Sequence, residues 1–394
     1  MQAVIYAICQ HFAKLPVLPY SFITLTSALI MLLPPLDITT YPTFTMSRGI
    51  CASRPPRPSS TVSSRSSSSS SSTSPRACAA SPDFMNIQKL IRAVFRSPKT
   101  IVEQTERLQS QLQQVFLAKL TDDTLLVLRC PPAVNTRLLR HEKNTLETEV
   151  KTLEMLYECT QLPVPQIIKY DSHGGQFGSP FVVTNHISGR KLSELSKDLT
   201  TTERSAIDRS LGFYVRRLTS LSAKQFGTTH QVFDQKGCKS WREAFLALLE
   251  AALRDAEDML VTIPYDSIRY YISKHSHILD EVAEPRLVAL NVCKPENVLV
   301  HEHTKHVTGL LGFSNVIWGD ALMSGGVANG SDAFFEGFGE CPMATDGAKI
   351  RILIYTVYRS ILEIAAHHYR PNTNVDELEA RRELVRALND LART

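Results

Sequence analysis

The stretch that decides the fold is 285–323, which reads PRLVALNVCKPENVLVHEHTKHVTGLLGFSNVIWGDALM. Short apolar runs rich in Val, Leu and Ile alternate in it with polar segments, a pattern that is typical of strands joined by tight loops. The predicted order is strand, polar loop, strand, turn and strand. The polar loop at 291–297 therefore stands between two strands, and a turn with three histidines follows it.

Upstream of this stretch, the sequence predicts a lobe of mixed strands and helices. Two apolar runs with β-branched residues, 115–120 and 124–129, flank a short polar turn and predict a hairpin. A helix is predicted at 144–157, because its apolar residues recur at helical spacing. Further strands are predicted at 166–170 and 180–185, and two amphipathic helices at 86–95 and 100–114.

Downstream, the sequence predicts a mostly helical lobe. Thr200 with Glu203, and Ser240 with Glu243, each fit a capping box, in which a hydroxyl and a carboxylate satisfy free amides at a helix start. Pro264 is expected to open a further helix, since proline is favoured in the first turn. The predicted helices cover 201–221, 241–259, 264–281, 350–367 and 375–391.

Together these features resemble the aminoglycoside phosphotransferase and choline kinase family, including uncharacterised fungal members. The likeness rests on the hairpin, on the helix after it, and on the segments LPVPQIIKYD, GSPFVVTNHISGRKLSEL, KPENVLV and VTGLLGFSNVIWGD. The resemblance implies an α+β, two-lobed protein kinase-like fold with a small mixed β-sheet N-lobe and a mainly helical C-lobe. The expected segments are a helical lead-in at 85–112, the N-lobe at 113–190, the C-lobe at 191–394 and a catalytic-loop region at 285–323.

The resemblance implies nucleotide-binding roles for residues of the first lobe. The family holds the ATP phosphates with a lysine on the third strand, which a glutamate on the next helix orients. By position, Arg129 stands where the lysine is expected and Glu149 where the glutamate is expected. Arginine is not equivalent to lysine there, because its planar fork needs a different partner geometry. Residues 182–187, among them Asn185, are expected to form the hinge that bonds adenine through its backbone.

The catalytic machinery that the resemblance implies is incomplete. In the family the first loop reads H-x-D-x-x-x-x-N, where the Asp accepts the substrate proton and the Asn holds Mg²⁺, and a second loop supplies a metal-binding Asp. Asn297 fits the metal-binding Asn. The catalytic Asp position falls on Val292 when counted back from Asn297, and on Asn291 when counted forward from Pro285. The metal-binding Asp aligns with Gly312.

Loss of both carboxylates would remove most of the chemistry. A positioned general base contributes about 10²–10⁴ in rate, and a metal ion stabilises the transferring charge by several kcal/mol. We therefore expect a pseudokinase-like protein that binds ATP and Mg²⁺ weakly or not at all and acts by interaction. Two alternatives stay open: an active phosphotransferase with Glu296, Asp320 or Glu302 as a displaced carboxylate, and a non-enzymatic protein targeted by its N-terminus.

Five other side chains of residues 285–323 could have a catalytic or metal-binding role, but a structural role is expected for each. Cys293 lies in the catalytic loop, but a buried or incidental thiol is expected rather than a nucleophile, because no neighbouring base is assured. His301, His303 and His306 have a spacing that could suit a metal, but an exposed hairpin is expected. Asp320 is expected to be structural rather than catalytic.

Composition and charge narrow the class of partner. The chain has 394 residues, of which 43% are hydrophobic and 21% charged, ordinary values for a globular protein large enough for two lobes. The net charge is +4, and residues 1–82 hold six Lys and Arg against one Asp, so the remainder is close to neutral. A near-neutral domain gives no reason to expect nucleic acid, and a small molecule or a protein partner is expected instead.

The first 84 residues are predicted to be a Ser-rich disordered or targeting tail. Four prolines break the apolar run at 15–36, and its uninterrupted part is shorter than the roughly 20 residues of a membrane helix, so a membrane anchor is not favoured. The Ser- and Arg-rich composition also resembles a mitochondrial transit peptide, and Met46 or Met85 is an alternative start. Eight scattered cysteines without a CxxC pair fit a reducing compartment, so the cytoplasm is expected.

Overall fold

A computed structural model of the chain describes residues 84–110, 112–343, 345–371 and 376–394. The predictions made for residues 1–83 lie outside these ranges. Within them, the chain forms an N-terminal lobe built on a five-stranded sheet and a mainly helical C-terminal lobe, which confirms the predicted two-lobed α+β fold. Each helix of the described ranges is too short or too polar to span a bilayer.

The N-terminal lobe is an antiparallel sheet with a helix on each face. Its elements are α1 (Phe84–Phe95), β1 (Val102–Leu108), β2 (Gln114–Leu120), β3 (Leu125–Cys130), α2 (Thr145–Cys159), β4 (Ile167–Asp171) and β5 (Phe181–Asn185). The spatial order of the strands is β1-β2-β3-β5-β4. The predicted hairpin is confirmed as β2 and β3, which pair from Gln114 with Cys130 to Lys119 with Leu125.

The second helix predicted for this lobe, at 100–114, is wrong, because the segment forms β1 and the loop after it. Glu, Gln, Arg and Leu, which dominate its sequence VEQTERL, favour a helix in isolation. In the folded chain, antiparallel pairing with β2 overrides this preference. Within this edge strand Val102 alone is buried, so no clear alternation marks it in the sequence. The lead-in predicted at 85–112 is therefore helical only in its first half.

The two faces of the sheet have different neighbours. On one face, alternate residues of β3 and β5 such as Leu128 and Val183 join Ile91 of α1 in a single apolar cluster. On the other face, Val182 packs against Val150 of α2. Because successive side chains of a strand point to opposite faces, Arg129 lies on the α2 face, away from α1.

The C-terminal lobe packs helices around two small antiparallel sheets. Its elements are β6 (Arg190–Lys191), α3 (Leu192–Leu195), α4 (Thr201–Thr219), β7 (Gly227–Thr228), α5 (Thr229–Phe233), α6 (Trp241–Asp258), α7 (Tyr265–His275), β8 (Arg286–Ala289), β9 (Val298–Val300), β10 (Val307–Leu310), β11 (Val316–Gly319), α8 (Gly325–Ala328), α9 (Asp332–Phe338), α10 (Asp346–Tyr369) and α11 (Glu377–Arg393). The sheets have the orders β10-β9-β6 and β7-β11-β8. The loops that follow β8 and β10 carry the candidate catalytic residues.

Helix starts in this lobe follow the predicted caps in part. The box of Thr200 and Glu203 is complete, with both reciprocal bonds present. The hydroxyl of Ser240 accepts from the amide of Glu243 at 3.2 Å, but the carboxylate makes no return bond. The helix predicted after Pro264 ends at His275 and continues as a 3₁₀ turn.

The linker between β3 and α2 is held to the C-terminal lobe by ion pairs. Arg140 lies 2.5 Å from a carboxylate oxygen of Asp255 and 2.9 Å from one of Asp258, both on α6. Glu142 lies 2.5 Å from Arg370, at the end of α10. Because α2 begins directly after this linker, these contacts fix the position of α2 relative to the helical lobe.

Candidate active site

Arg129 and Glu149 form a buried ion pair between β3 and α2. Nη1 of Arg129 lies 3.6 Å from Oε1 of Glu149, and the two side chains are only 10% and 7% exposed. Charges so shielded from water attract each other more strongly than surface charges, although each has lost its hydration. The structure thus brings together Arg129, predicted to hold the phosphates of ATP, and Glu149, predicted to orient it.

Arg129 has donor capacity that the protein leaves unused. Its Nη1 is buried and makes no hydrogen bond with the described residues. A guanidinium presents five N–H donors in a planar fork that matches phosphate and carboxylate oxygens. Glu149 balances the charge of Nη1 but lies beyond hydrogen-bond distance, so the N–H groups of this atom can still donate to an anionic ligand.

Gln113 extends the ion pair toward the loop between β1 and β2. Its Nε2 donates to Oε2 of Glu149 at 3.1 Å. This loop is not Gly-rich, since no glycine occurs anywhere between Gly49 and Gly174. The contact was not predicted, since no sequence signal connects Gln113 with a residue 36 positions further along the chain.

The side chain of Asn185, predicted to belong to the hinge, is used within the sheet. Its Oδ1 accepts from the backbone N–H of Gln166 at 2.7 Å, and the backbone N–H of Asn185 donates to the Gln166 carbonyl at 3.1 Å. The amide of His186 likewise donates to Leu125 at 3.2 Å. Ile187 is the first residue after the sheet whose backbone N–H makes no hydrogen bond with the described residues. We therefore expect any backbone contact with adenine at Ile187 or later in the hinge.

The loop after β8 separates the two candidates for the catalytic Asp position. Val292 is 2% exposed and belongs to the apolar core of the helical lobe. Asn291 is half-buried, and its carbonyl accepts a hydrogen bond from Nδ2 of Asn297 at 2.9 Å. Of the two residues, Asn291 is thus the one outside the apolar core. Its side-chain amide cannot accept a proton as the carboxylate of a general base would.

Gly312 meets Asn297 where the second loop should supply a metal-binding Asp. The backbone of Gly312 is left-handed, with φ of 86°. A Cβ atom added there would lie 2.6 Å from Nδ2 of Asn297 and 3.1 Å from the carbonyl of Asn291. The amide of Leu311 donates to the carbonyl of Asn297 at 2.8 Å, which joins the two loops through their backbones. The loops thus keep their mutual contact without a carboxylate at either expected position.

Asp320 is committed to a buried hydrogen-bond network. Its Oδ2 accepts from Nε of Arg351 at 2.9 Å and from the hydroxyl of Tyr355 at 2.7 Å. Its Oδ1 accepts from the amide of Leu322 at 3.1 Å. Burial, together with the Asp320 charge, raises the pKa of Tyr355 well above its ordinary value, so the phenol stays protonated and donates. The partners Arg351 and Tyr355 lie on α10 and were not predicted from the sequence.

The other displaced carboxylates differ in their availability. Glu302 lies on the turn between β9 and β10 and pairs with Arg190 at 3.1 Å. Glu296 precedes Asn297, is half-buried and forms no ion pair within the described ranges. Of the three candidates, Glu296 is thus the one whose carboxylate forms no ion pair within the described ranges.

Neither the thiol nor the histidines of the stretch form a reactive or metal-binding group. Burial raises the pKa of Cys293 to about 12, so it is a neutral thiol near pH 7. The rings of His301 and His306 stack 5.3 Å apart in the exposed turn, and Nδ1 of His301 accepts from the amide of His303.

The two facing loops have no carboxylate at the positions predicted for magnesium binding and catalysis. Mg²⁺ prefers one or two carboxylates, water and substrate phosphates in near-octahedral geometry. Among the residues that the structure describes, no group of three or more His, Cys, Asp and Glu side chains is placed to hold a metal ion. Asn297, the predicted metal ligand, donates its Nδ2 to the Asn291 carbonyl, a bond that does not involve Oδ1, the atom with which an asparagine binds a cation.

The fold is that of kinase-like phosphotransferases, and several solved structures share it. A thermostable mutant of the aminoglycoside phosphotransferase APH(4)-Ia, in a ternary complex with AMP-PNP and hygromycin B, has a TM-score of 0.56 at 14% identity, covering 78% of this chain and 100% of that chain. A protein assigned as a fructosamine-3-kinase from Thermobifida fusca has a TM-score of 0.55 at 15% identity, covering 78% and 99%. The gentamicin complex of APH(2")-IIa has a TM-score of 0.51 at 15% identity, covering 80% and 97%.

The family is given by the sequence itself. The model of the phosphotransferase enzyme family, APH, matches residues 104–327, which is more than half of the chain. The chain belongs to this family. The match runs from β1 to α8 and so includes Arg129, Glu149, Asn297 and Gly312. No match was found among curated protein sequences.

Proposed function

We propose that the chain is a catalytically impaired member of the phosphotransferase family, a pseudokinase-type protein that acts by interaction. The observation that carries this proposal is the contact between the two loops. Asn291 and Gly312 stand at the two carboxylate positions, and the Asn297 amide lies 2.6 Å from where a Gly312 Cβ would be. A side chain at position 312 would therefore require Asn297 to shift, and neither residue now at these positions has a carboxylate.

The missing base and the missing metal ligand act on the same step. A phosphoryl acceptor must lose its proton, and a positioned base contributes about 10²–10⁴ to that rate. The charge on the transferring group must also be balanced, and neither Asn291 nor Gly312 brings a negative charge that could recruit Mg²⁺. Effects of residues that act together do not add, but the loss of both leaves little chemistry.

If the chain binds ATP, we propose that it binds the nucleotide without Mg²⁺. Arg129 has a buried Nη1 that is paired in charge with Glu149 but makes no hydrogen bond, and the backbone amide of Ile187 makes no bond with the described residues. A solved relative of this fold holds AMP-PNP, an ATP analogue. We propose that any ATP bound by this chain is held weakly by Arg129 and the hinge backbone, with no contribution from a metal.

Calorimetric titration of the full-length chain with ATP tests the proposal directly. The affinity should be the same in Mg²⁺ and in EDTA, or no binding should occur in either. If ATP binds, Arg129→Met should weaken it, whereas Asn297→Ala should not. Arg190→Met is the matched control, because Arg190 is an exposed cation on β6. A Mg²⁺-dependent gain in affinity that Asn297→Ala removes would overturn the proposal.

An active phosphotransferase is the second candidate, and the position of Glu296 favours it. Glu296 lies next to Asn297, and its carboxylate is in no ion pair within the described ranges. Under this alternative, the chain transfers phosphate to a small-molecule hydroxyl or amine, and Glu296→Gln abolishes turnover. Under the first proposal, no turnover exists for Glu296→Gln to remove.

The cytoplasm is the compartment that we propose, with the mitochondrion as the alternative. Within the described ranges, Cys130, Cys238, Cys293 and Cys341 are free thiols. Unpaired cysteines are typical of reducing compartments. Fractionation of cells that express the full-length chain would distinguish the two compartments.

A further inference from the structure

A stripe of cations runs along the outer face of α1. Lys89 and Arg92 are three residues apart, which places them on one side of the helix, and Arg96 is the first residue after the helix end, with a left-handed φ of 49°. Lys99 follows shortly after the helix end. All four side chains are exposed, whereas Ile87 and Ile91 on the inner side are buried against the sheet.

Within the part of the chain that the structure describes, no acidic side chain pairs with these four cations. Residues 84–102 contain four Lys and Arg but no Asp or Glu. None of the four forms an ion pair within the described ranges, and the one side-chain bond among them runs from Nε of Arg92 to the Thr100 carbonyl at 3.2 Å. The next acid along the chain, Glu103, is already paired with Lys119 at 3.0 Å.

Exposed apolar side chains flank the cations. Met85 is 58% exposed, Phe95 is 41% exposed and Ile101 is 47% exposed. Single exposed apolar residues are ordinary on protein surfaces. Three of them beside four unpaired cations, on one short helix and the residues after it, form a surface that is both basic and apolar.

This surface is remote from the candidate active site. α1 packs on one face of the five-stranded sheet, and Arg129 lies on the other face with α2. A large partner on the outer face of α1 would therefore leave the cleft open. The inference is independent of the proposed function.

We infer that the outer face of α1 docks on the surface of a bilayer that contains anionic lipids. Helices that lie in the membrane interface combine a basic face with apolar side chains that enter the headgroup region. The negative surface potential of anionic lipids attracts Lys and Arg near the bilayer. No membrane-spanning segment is required, and the absence of a spanning helix within the described ranges is compatible with docking of this kind.

A bilayer fits this surface better than nucleic acid does. Nucleic-acid-binding domains are strongly basic as a whole, whereas residues 83–394 are close to neutral. Phosphate contacts also give no role to exposed aliphatic side chains such as Met85 and Ile101, which a lipid interface would bury. An anionic bilayer would thus attract the cations and also bury the apolar side chains beside them.

Co-sedimentation of the full-length chain with vesicles tests the inference. Binding to vesicles of phosphatidylcholine and phosphatidylserine should exceed binding to phosphatidylcholine alone, and it should fall as salt is added. The triple variant Lys89→Gln, Arg96→Gln and Lys99→Gln should bind the anionic vesicles about 100-fold more weakly, since each cation near the surface contributes about fivefold. Arg92 is left in place because it bonds Thr100.

A second triple variant controls for net charge. Lys197, Lys224 and Lys239 are exposed cations of the helical lobe that form no ion pair within the described ranges. Their replacement by Gln makes the same change in net charge and should leave vesicle binding unaltered. Basic residues outside the described ranges are present in every variant, so their contribution cancels in the comparison.

Met85→Ser tests the apolar part separately and with little risk to folding. It should weaken binding to anionic vesicles several-fold, and the loss should persist at high salt. Equal binding to neutral vesicles, equal loss in the two triple variants, or no binding at all would each overturn the inference. Tighter binding to RNA or DNA than to the vesicles, lost in the α1 variant alone, would overturn it in favour of nucleic acid.

Discussion

In the N-terminal lobe, Arg129 and Glu149 keep opposite charges 3.6 Å apart in a buried position. In the C-terminal lobe, the loops around Asn297 and Gly312 keep their contact but contain no carboxylate at the expected positions. The two halves of the cleft therefore differ in kind. One half retains charged groups, and the other retains only the backbone frame that such groups would need.

The difference shows that the geometry of the loops does not depend on their chemistry. Backbone bonds from Leu311 to Asn297 at 2.8 Å and from Leu290 to Asn315 at 3.1 Å hold the two loops together. None of these bonds involves a catalytic side chain. The buried ion pair, by contrast, consists only of side chains, and its partners hold each other in place.

The largest expected effect comes from breaking the charged half. Glu149→Ala should destabilise the chain by about 3–5 kcal/mol, because it leaves the Arg129 charge buried without a partner. Glu149→Ala combined with Arg129→Met should cost less, since no uncompensated charge remains. Urea unfolding measures both variants.

Glu302→Ala is the matched control for the buried pair. Its partner Arg190 is exposed, and such surface pairs contribute about 0–1 kcal/mol. Similar losses for Glu149→Ala and Glu302→Ala would show that the N-terminal half is not a buried charged site.

The next effect tests whether the catalytic loop is closed. Cys293 should react with iodoacetamide at least about 100-fold more slowly than the exposed Cys341 at pH 8, because burial keeps its thiol protonated. Mass spectrometry of the two peptides over time measures the ratio. In urea the ratio should approach one, and a fast Cys293 in the native chain would mean that the loop is open.

A smaller effect separates a structural carboxylate from a catalytic one. Asp320→Asn should cost about 2 kcal/mol in urea unfolding, because Arg351 loses a charge-assisted hydrogen bond. Nucleotide affinity should not change. Tyr355→Phe, which removes a neutral donor to the same carboxylate, should cost less. A drop in Mg-ATP affinity without a loss of stability would instead assign Asp320 to a metal site.

The smallest expected effect is the difference in stability loss between two glycine substitutions, which tests the contact at Gly312. Gly312→Asp should destabilise by about 1–3 kcal/mol, from the left-handed backbone and from displacement of Asn297. Gly178→Asp is the matched control, since Gly178 has φ of 76° with nothing within 4 Å of an added Cβ. The excess loss at Gly312 measures the contact with Asn297, and equal losses at both sites would mean that the space for a carboxylate is open.

Much of this fold follows from local sequence patterns. The β2–β3 hairpin is predicted from apolar runs around a polar turn, and the cap of α4 from Thr200 and Glu203. The pairing of Arg129 with Glu149 is predicted only through the family resemblance, because no local pattern relates a strand residue to a helix residue twenty positions away. The expected roles of both residues stay predictions.

Other features depend on tertiary contacts that the sequence does not display. β1 is a strand because β2 pairs with it, although its residues favour a helix. The choice between Asn291 and Val292 depends on which side chain enters the core. The commitment of Asp320 to Arg351 joins residues 31 positions apart, and neither residue carries a local signal of that bond.

Turnover tests the proposed loss of catalysis most directly. The full-length chain would be incubated with Mg²⁺ and γ-labelled ATP, alone and with a panel of small hydroxyl and amine compounds, and labelled phosphate and product would be measured. Wild type and Asn297→Ala should both show no turnover above the protein-free rate. Turnover in the wild type that Asn297→Ala abolishes would contradict the proposal and establish the chain as an active phosphotransferase.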